Sequence, residues 1–77
     1  MLEEMLLERI KIYRKRARLS QSDMASYLGY KGKSGYSNLE NGKVKMTVEQ
    51  LEQLITILSI PQEDLIRIIN RCYQPRV

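Results

Sequence analysis

The residues that could do chemistry are mostly basic, and they are concentrated in one half of the chain. Between positions 9 and 45 the 77-residue sequence carries ten lysines and arginines against two acidic residues, a local charge of +8. From position 46 to the end, three arginines face four acidic residues, a local charge of −1. Such a division is expected where one face of a protein meets a polyanion and the rest of the protein has another role.

The sequence offers little for catalysis or for metal binding. It contains no histidine and one cysteine, which excludes histidine-dependent triads, the usual transition-metal ligand sets and an internal disulfide. The run Gly32-Lys33-Ser34 suggests a phosphate loop, but Tyr27 stands where such a loop requires its first glycine. We therefore predict that the protein is not an enzyme and binds neither a metal nor a cofactor.

The elements that position the basic residues are predicted to be five helices and no strands. Ser20 with Asp23, and Thr47 with Gln50, have the spacing of capping boxes at helix starts, and Gly29 is suited to a helix end. Apolar residues recur at spacings of three and four between these signals. The sequence predicts one compact all-α domain over residues 1–77, with helices at about 3–18, 21–28, 33–41, 48–58 and 61–73.

The second and third predicted helices carry a specific pattern together with their connecting turn. It consists of Leu19-Ser20-Gln21-Ser22-Asp23-Met24-Ala25, the turn Leu28-Gly29, and Tyr36-Ser37-Asn38-Leu39-Glu40-Asn41-Gly42-Lys43. This pattern resembles the phage Cro and repressor type of helix-turn-helix domain, over about residues 6–70. The resemblance implies a five-helix domain of the lambda-repressor-like type, with the helix-turn-helix at about 20–42, and double-stranded DNA as the ligand.

Three features depart from the family pattern. Ten residues, where nine are usual, separate the Leu-Gly turn from Glu-Asn-Gly, so we expect a longer turn. Gly35 lies inside the third helix, costs about 1 kcal/mol relative to alanine and is expected to leave that helix weakly formed alone. Ser59-Ile60-Pro61 replaces the commoner Gly-Val-Ser corner, so the sequence does not determine the angle of the fifth helix.

The third helix should have a buried and an exposed side. Tyr36 and Leu39 must face the core, as should Tyr13 and Tyr27 by their spacing. For Tyr30, in the turn, both a place near the core and a base-stacking role are open. The polar residues of the helix then point outward, and the base-reading residues are predicted to be Lys33, Ser34, Ser37 and Asn38. Contacts to the DNA backbone are predicted for Arg14, Arg18, Gln21, Lys31, Asn41, Lys43 and Lys45.

The fifth helix carries more apolar residues than one helix face requires. We predict that Leu65, Ile69 and Cys72 face the core and that a homodimer interface is formed by Ile66, Ile68 and Tyr73. A two-fold axis there would place two recognition helices about 34 Å apart and require a palindromic site. The alternative is that the extra apolar residues close over Leu2 and Met5 within one chain.

These observations favour a sequence-specific DNA-binding transcriptional regulator, a small dimeric repressor. No apolar run approaches the roughly 20 residues of a membrane span, and the N-terminus carries acids where a secretory signal carries positive charge, so a cytoplasmic protein is expected. The alternative is a protein-interaction module, antitoxin-like or a regulatory partner, that kept the fold without operator recognition. Gly35, the longer turn and the apolar fifth helix favour this alternative.

Overall fold

Five α-helices make up the part of the chain that the structure describes. The computed structural model describes residues 2–72, without the side chains of residues 2, 3, 69, 71 and 72. The helices are α1 (Leu2–Arg16), α2 (Gln21–Tyr27), α3 (Lys33–Glu40), α4 (Val48–Leu58) and α5 (Gln62–Cys72), and residues 2–72 contain no strand. The predicted all-α class and all five helices are confirmed. Within these residues no helix has both the length and the apolar character needed to cross a membrane.

Side-chain caps fix where α2 and α4 begin. The Ser20 hydroxyl accepts a hydrogen bond from the Asp23 N–H at 3.0 Å, and the Asp23 carboxylate accepts one from the Ser20 N–H at 2.9 Å. The same reciprocal pair links Thr47 and Gln50, at 3.1 and 2.9 Å. Each cap satisfies backbone donors that would otherwise lack a partner, which contributes about 1 kcal/mol. Both predicted capping boxes are therefore present.

The core lies where α1, α2, α3 and α4 meet. The helices α2 and α3 pack directly against each other, and α1 contacts α3, α4 and α5. Each large apolar side chain that is fully buried contributes about 1.5–3 kcal/mol. The residues of the core are Ile10, Met24, Ala25, Tyr36, Leu39, Leu54, Leu58 and Ile60. This core holds the helix-turn-helix pair against α1 and α4.

The corner between α4 and α5 is made without glycine. Ser59 takes the left-handed conformation, with φ 51° and ψ 47°, and ends α4 at a cost of about 1 kcal/mol. The next residue, Ile60, is buried in the core, and its N–H donates to the Ile55 carbonyl at 3.1 Å. Burial of Ile60 offsets the cost of the turn, and the turn directs α5 back onto α1.

Polar residues join α5 to α1. The Arg9 guanidinium donates to the Asp64 carboxylate at 2.7 Å, and the Tyr13 hydroxyl donates to the same carboxylate oxygen. These hydrogen bonds, first from Tyr13 and then from Arg9, hold the pKa of Asp64 below its ordinary value. Local sequence patterns do not predict this cluster, because 51 residues separate Tyr13 from Asp64.

The orientation of α5 corrects one predicted interface residue. Ile68 was predicted to face a partner molecule, but it is only 5% exposed and borders, with Met5, a groove between α1 and α5. The prediction was wrong for Ile68 because α1 covers that side of α5 within one chain. Ile66 is 48% exposed. Tyr73, the third predicted interface residue, lies outside the described residues, as do the side chains of Ile69 and Cys72.

Candidate nucleic-acid interface

The helix α3 presents a row of polar side chains to solvent. Lys33, Ser34 and Asn38 are exposed and Ser37 is half-buried, whereas the opposite side of the helix is buried through Tyr36, Leu39 and Glu40. The Ser37 hydroxyl accepts a hydrogen bond from the Asn41 side-chain amide at 3.2 Å. The structure thus brings together on one surface the four residues that the sequence analysis selected.

The start of α3 is held by an aromatic ring packed on a glycine. A Cβ atom at Gly35 would lie 2.6 Å from Cδ1 of Tyr30, a distance that real Cβ atoms do not show. The Tyr30 hydroxyl accepts a hydrogen bond from the Gln50 amide at 2.9 Å, and the Tyr30 N–H donates to the Ala25 carbonyl at 2.9 Å. Gly35 is therefore required by close packing, and α3 is formed with this glycine in place.

A buried polar network ties α1 to both helices of the helix-turn-helix. The Arg14 guanidinium donates to the two Glu40 carboxylate oxygens at 2.8 and 3.1 Å, and to the Leu19 carbonyl at 2.9 Å. Glu40 also accepts hydrogen bonds from the Tyr36 hydroxyl at 2.7 Å and from the Gln21 amide at 3.1 Å. This network fixes the end of α3 and the first residue of α2 relative to α1.

The network corrects the role predicted for Arg14. Arg14 was predicted to contact the DNA backbone, but it is only 8% exposed, and its three nitrogen atoms each donate a hydrogen bond to Glu40 or Leu19. An unpaired charge at this depth would be costly, so the ion pair explains both the burial and the loss of the predicted contact. Gln21 is half-buried, and one donor of its amide is occupied by Glu40.

The ionisation of Glu40 follows from its partners. Burial alone would raise its pKa, but the hydrogen bonds from Arg14, Tyr36 and Gln21 outweigh burial and hold the pKa of the carboxyl below its ordinary value. Burial, and then the hydrogen bond to Glu40, raise the pKa of the Tyr36 hydroxyl. Glu40 is thus a carboxylate and Tyr36 a neutral donor at neutral pH.

The remaining predicted backbone contacts lie in the turn after α1 and in the loops before and after α3. The loop after α3 is fixed by the Lys43 N–H, which donates to the Asn38 carbonyl at 2.9 Å, and by Gly42, which has φ 76°. The basic and amide residues of these loops and of the turn after α1 are all exposed: Arg18, Lys31, Asn41, Lys43 and Lys45. Cations on exposed loops are free to reach phosphate oxygens.

Two residues were misjudged or missed. Tyr27 was predicted to be near the core, but it is 61% exposed at the end of α2 and borders a shallow groove against α4. Glu40 was quoted only as part of a motif and was given no role. A signal for it existed in the sequence, because Glu40 and the capping residue Asp23 are the two acids among ten basic residues, and Glu40 follows the buried Tyr36 by one helical turn.

A comparison with known families agrees with this arrangement. A family model described as a helix-turn-helix domain matches residues 6–67, which includes α2, the turn and α3 and most of the helices around them. No curated protein and no solved structure gives a significant match. With its five helices and no strands in residues 2–72, the arrangement fits the lambda-repressor-like fold. The chain belongs to the helix-turn-helix family of DNA-binding domains.

Proposed function

We propose that the protein is a sequence-specific transcriptional regulator of the Cro and repressor subtype that reads the major groove of double-stranded DNA with α3. The observation that carries the proposal is the polar row on α3, whose exposed members Lys33, Ser34 and Asn38 lie opposite a fully buried side. A helix of this width fits the major groove, where each base pair presents a distinct pattern of donors and acceptors.

The side chains of the row suit base edges. Asn38 can donate to N7 and accept from N6 of adenine, and no hydrogen bond within the described residues occupies its side chain. Lys33 can donate to O6 or N7 of guanine, or to a phosphate. Ser37 accepts from Asn41 and keeps its own hydroxyl proton for a base. Asn38 is therefore assigned the largest share of base discrimination.

The loops supply sequence-independent affinity. We assign phosphate contacts to side chains just before and at the start of α2, in the turn between α2 and α3, and after α3, namely Arg18, Gln21, Lys31, Asn41, Lys43 and Lys45. Neutralising phosphates releases counterions, so each contact adds affinity for any duplex and makes binding salt-dependent. The buried network around Glu40 supports this assignment because it holds Gln21 and the end of α3 at fixed positions.

The proposal includes a homodimer formed through α5 and a palindromic operator. Ile66 is a large apolar residue that is 48% exposed on α5, and a two-fold contact between copies would cover it. Two recognition helices about 34 Å apart would then meet successive major grooves on one face of the duplex. A regulator of this kind acts by occupying its site, so we assign it to repression.

The test is selection of bound sequences from a random duplex pool. The proposal expects enrichment of one palindromic sequence with half-sites about one helical turn apart. The alternative, a protein-interaction module with this fold, expects no enrichment. Enrichment of nothing by a folded protein would remove the DNA-binding proposal.

A salt titration by fluorescence anisotropy tests the phosphate contacts separately. With about six phosphates neutralised per bound dimer, the slope of log K against log salt should be about −5. Replacing Lys43 and Lys45 with alanine should weaken binding to all duplexes about equally and flatten that slope. A slope near zero for the wild type would contradict the proposal.

A further inference from the structure

We propose that one side of α1 forms an additional phosphate-binding row, made by Lys11 and Lys15 and continued by Arg18 in the turn that follows. The inference rests on the proposed function, because its ligand is the backbone of the same duplex. It adds Lys11 and Lys15, which neither the sequence pattern nor the helix-turn-helix family match selects, to the contact already proposed for Arg18.

The spacing of the residues places them on one side of the helix. Leu7, Lys11 and Lys15 follow one another at intervals of four, and Arg14 lies one turn after Lys11. Lys15 and Arg18 are exposed and Lys11 is half-buried. From Lys11 to Lys15 the row is about 6 Å long, and Arg18 extends it beyond the end of the helix.

Two contacts define which part of the protein this side of α1 adjoins. A methyl group of Leu7 lies 3.4 Å from the position that a Cβ atom of Gly42 would occupy, in the loop after α3. Arg14 forms its ion pair with Glu40, the last residue of α3. Lys11 falls between Leu7 and Arg14 along the helix, so it lies beside the corner from which Lys43 projects.

The other end of the row lies near the start of α2. Arg14 donates to the Leu19 carbonyl at 2.9 Å, and the Leu19 N–H donates to the Arg14 carbonyl at 3.1 Å, so the chain turns back tightly after α1. The helix α2 begins two residues later, at Gln21. The row on α1 therefore runs from one group of proposed phosphate contacts, around Lys43, to another, around Gln21.

Within the described part of the chain, the charges of the row have no ionic partner. Among the described residues, ion pairs involve Arg9, Arg14 and Arg67, and none involves Lys11, Lys15 or Arg18. The acidic residues Glu4 and Glu8 precede Lys11 on α1, which sets an N-terminal limit to the basic row. Unpaired cations that join two proposed phosphate contacts are the electrostatic footprint expected for a duplex backbone.

The opposite side of α1 provides a matched control. Arg16 lies over the Tyr13 ring, with 5.8 Å from its guanidinium carbon to the ring centre, and Tyr13 bonds to Asp64 of α5. Arg67, on α5, is largely exposed and lies 3.9 Å from Asp64. Neither Arg16 nor Arg67 is among the residues proposed to contact DNA. Replacing both with glutamine removes the same two charges per chain as replacing Lys11 and Lys15.

The experiment compares the two double variants, Lys11→Gln with Lys15→Gln and Arg16→Gln with Arg67→Gln, in an anisotropy salt titration on one duplex. Each lost phosphate contact should reduce the slope by about 0.9, or about 1.8 per bound protomer. The affinity advantage of the wild type over the Lys11 and Lys15 variant should then shrink about 12-fold per bound protomer between 50 and 200 mM salt, or about 150-fold for the proposed dimer. The control should keep the wild-type slope.

The outcomes separate this inference from the proposed function. A wild type without salt-dependent DNA binding would overturn both. A wild type that binds DNA, with equal slopes for the two double variants, would overturn the inference alone. If the circular dichroism spectrum shows that the Lys11 and Lys15 variant is unfolded, Lys15→Gln is compared with Arg16→Gln, and a slope difference of about 0.9 per bound protomer, or about 1.8 for the dimer, is expected. Equal slopes for those single variants would overturn the inference.

Discussion

Removal of the Glu40 charge should be the most damaging conservative substitution in this domain. Glu40→Gln keeps the shape of the side chain but leaves the buried Arg14 guanidinium without its counter-ion. Breaking a buried ion pair by removing one partner costs about 3–5 kcal/mol. A domain of this size is stable by about 4–12 kcal/mol, so the variant should lose a large part of its stability.

A double variant separates the effect of the charges from the effect of side-chain packing. Arg14→Met with Glu40→Leu removes both charges, and replacing a buried pair by apolar residues is neutral or stabilising by about 1–4 kcal/mol. The buried Tyr36 hydroxyl then loses a partner, at about 1–3 kcal/mol. The Gln21 amide and the Leu19 carbonyl also lose a partner, but both are only partly buried and can bond to water. These terms largely offset each other, so the double variant should be more stable than Glu40→Gln.

The assay is urea unfolding followed by circular dichroism. With a slope of about 1 kcal/mol per molar urea for a small domain, Glu40→Gln should lower the midpoint by about 3–5 M. The double variant should recover a measurable part of that shift. A loss of less than about 1 kcal/mol for Glu40→Gln, or a double variant less stable than Glu40→Gln, would refute the role given to the ion pair.

Three further outcomes are expected. Because the pKa of Glu40 is lowered on folding, its contribution to stability is complete above its ordinary pKa of 4.5 and is lost as the pH falls through the lower folded value. The urea midpoint of the wild type should therefore decline below about pH 4.5, and it should decline less steeply in the double variant. Gly35→Ala should destabilise the domain by about 1–3 kcal/mol in urea unfolding, because the new Cβ atom meets the Tyr30 ring. In a Tyr30→Ala background the same change should stabilise the domain by about 1 kcal/mol. Stabilisation in both backgrounds would exclude the clash. Ile66→Asp should keep the chain at 9.1 kDa in sedimentation equilibrium at concentrations where the wild type dimerises, whereas Ile68→Asp should unfold it; a monomeric wild type at tens of micromolar would remove the preformed dimer.

The helices were predictable because their signals are local. The capping pairs Ser20 with Asp23 and Thr47 with Gln50 each span three residues, and both form as the spacing indicates. The polar row of α3 was predictable for the same reason, since the burial of Tyr36 and Leu39 turns the intervening residues outward. Each of these features depends only on residues that lie close together in the sequence.

The contacts between helices could not be derived in this way. Arg14 looked like one more cation of a basic segment, and only its pairing with Glu40, 26 residues away, shows it to be buried. Ile68 was placed on the wrong side because the direction of α5 depends on the left-handed turn at Ser59. Gly35 looked like a weakness in α3 until the Tyr30 ring was found packed on it.

The central claim, that α3 reads bases, is tested most directly by the affinity of Asn38→Ala for two duplexes, the selected sequence and a random one. The account predicts a loss of about 1–3 kcal/mol on the selected duplex, or about 5- to 150-fold, and almost none on the random duplex, because a base contact is lost and no phosphate contact is. The control Lys43→Ala, which removes a proposed backbone contact, should weaken binding to both duplexes about equally. Equal losses on both duplexes for Asn38→Ala would contradict the account.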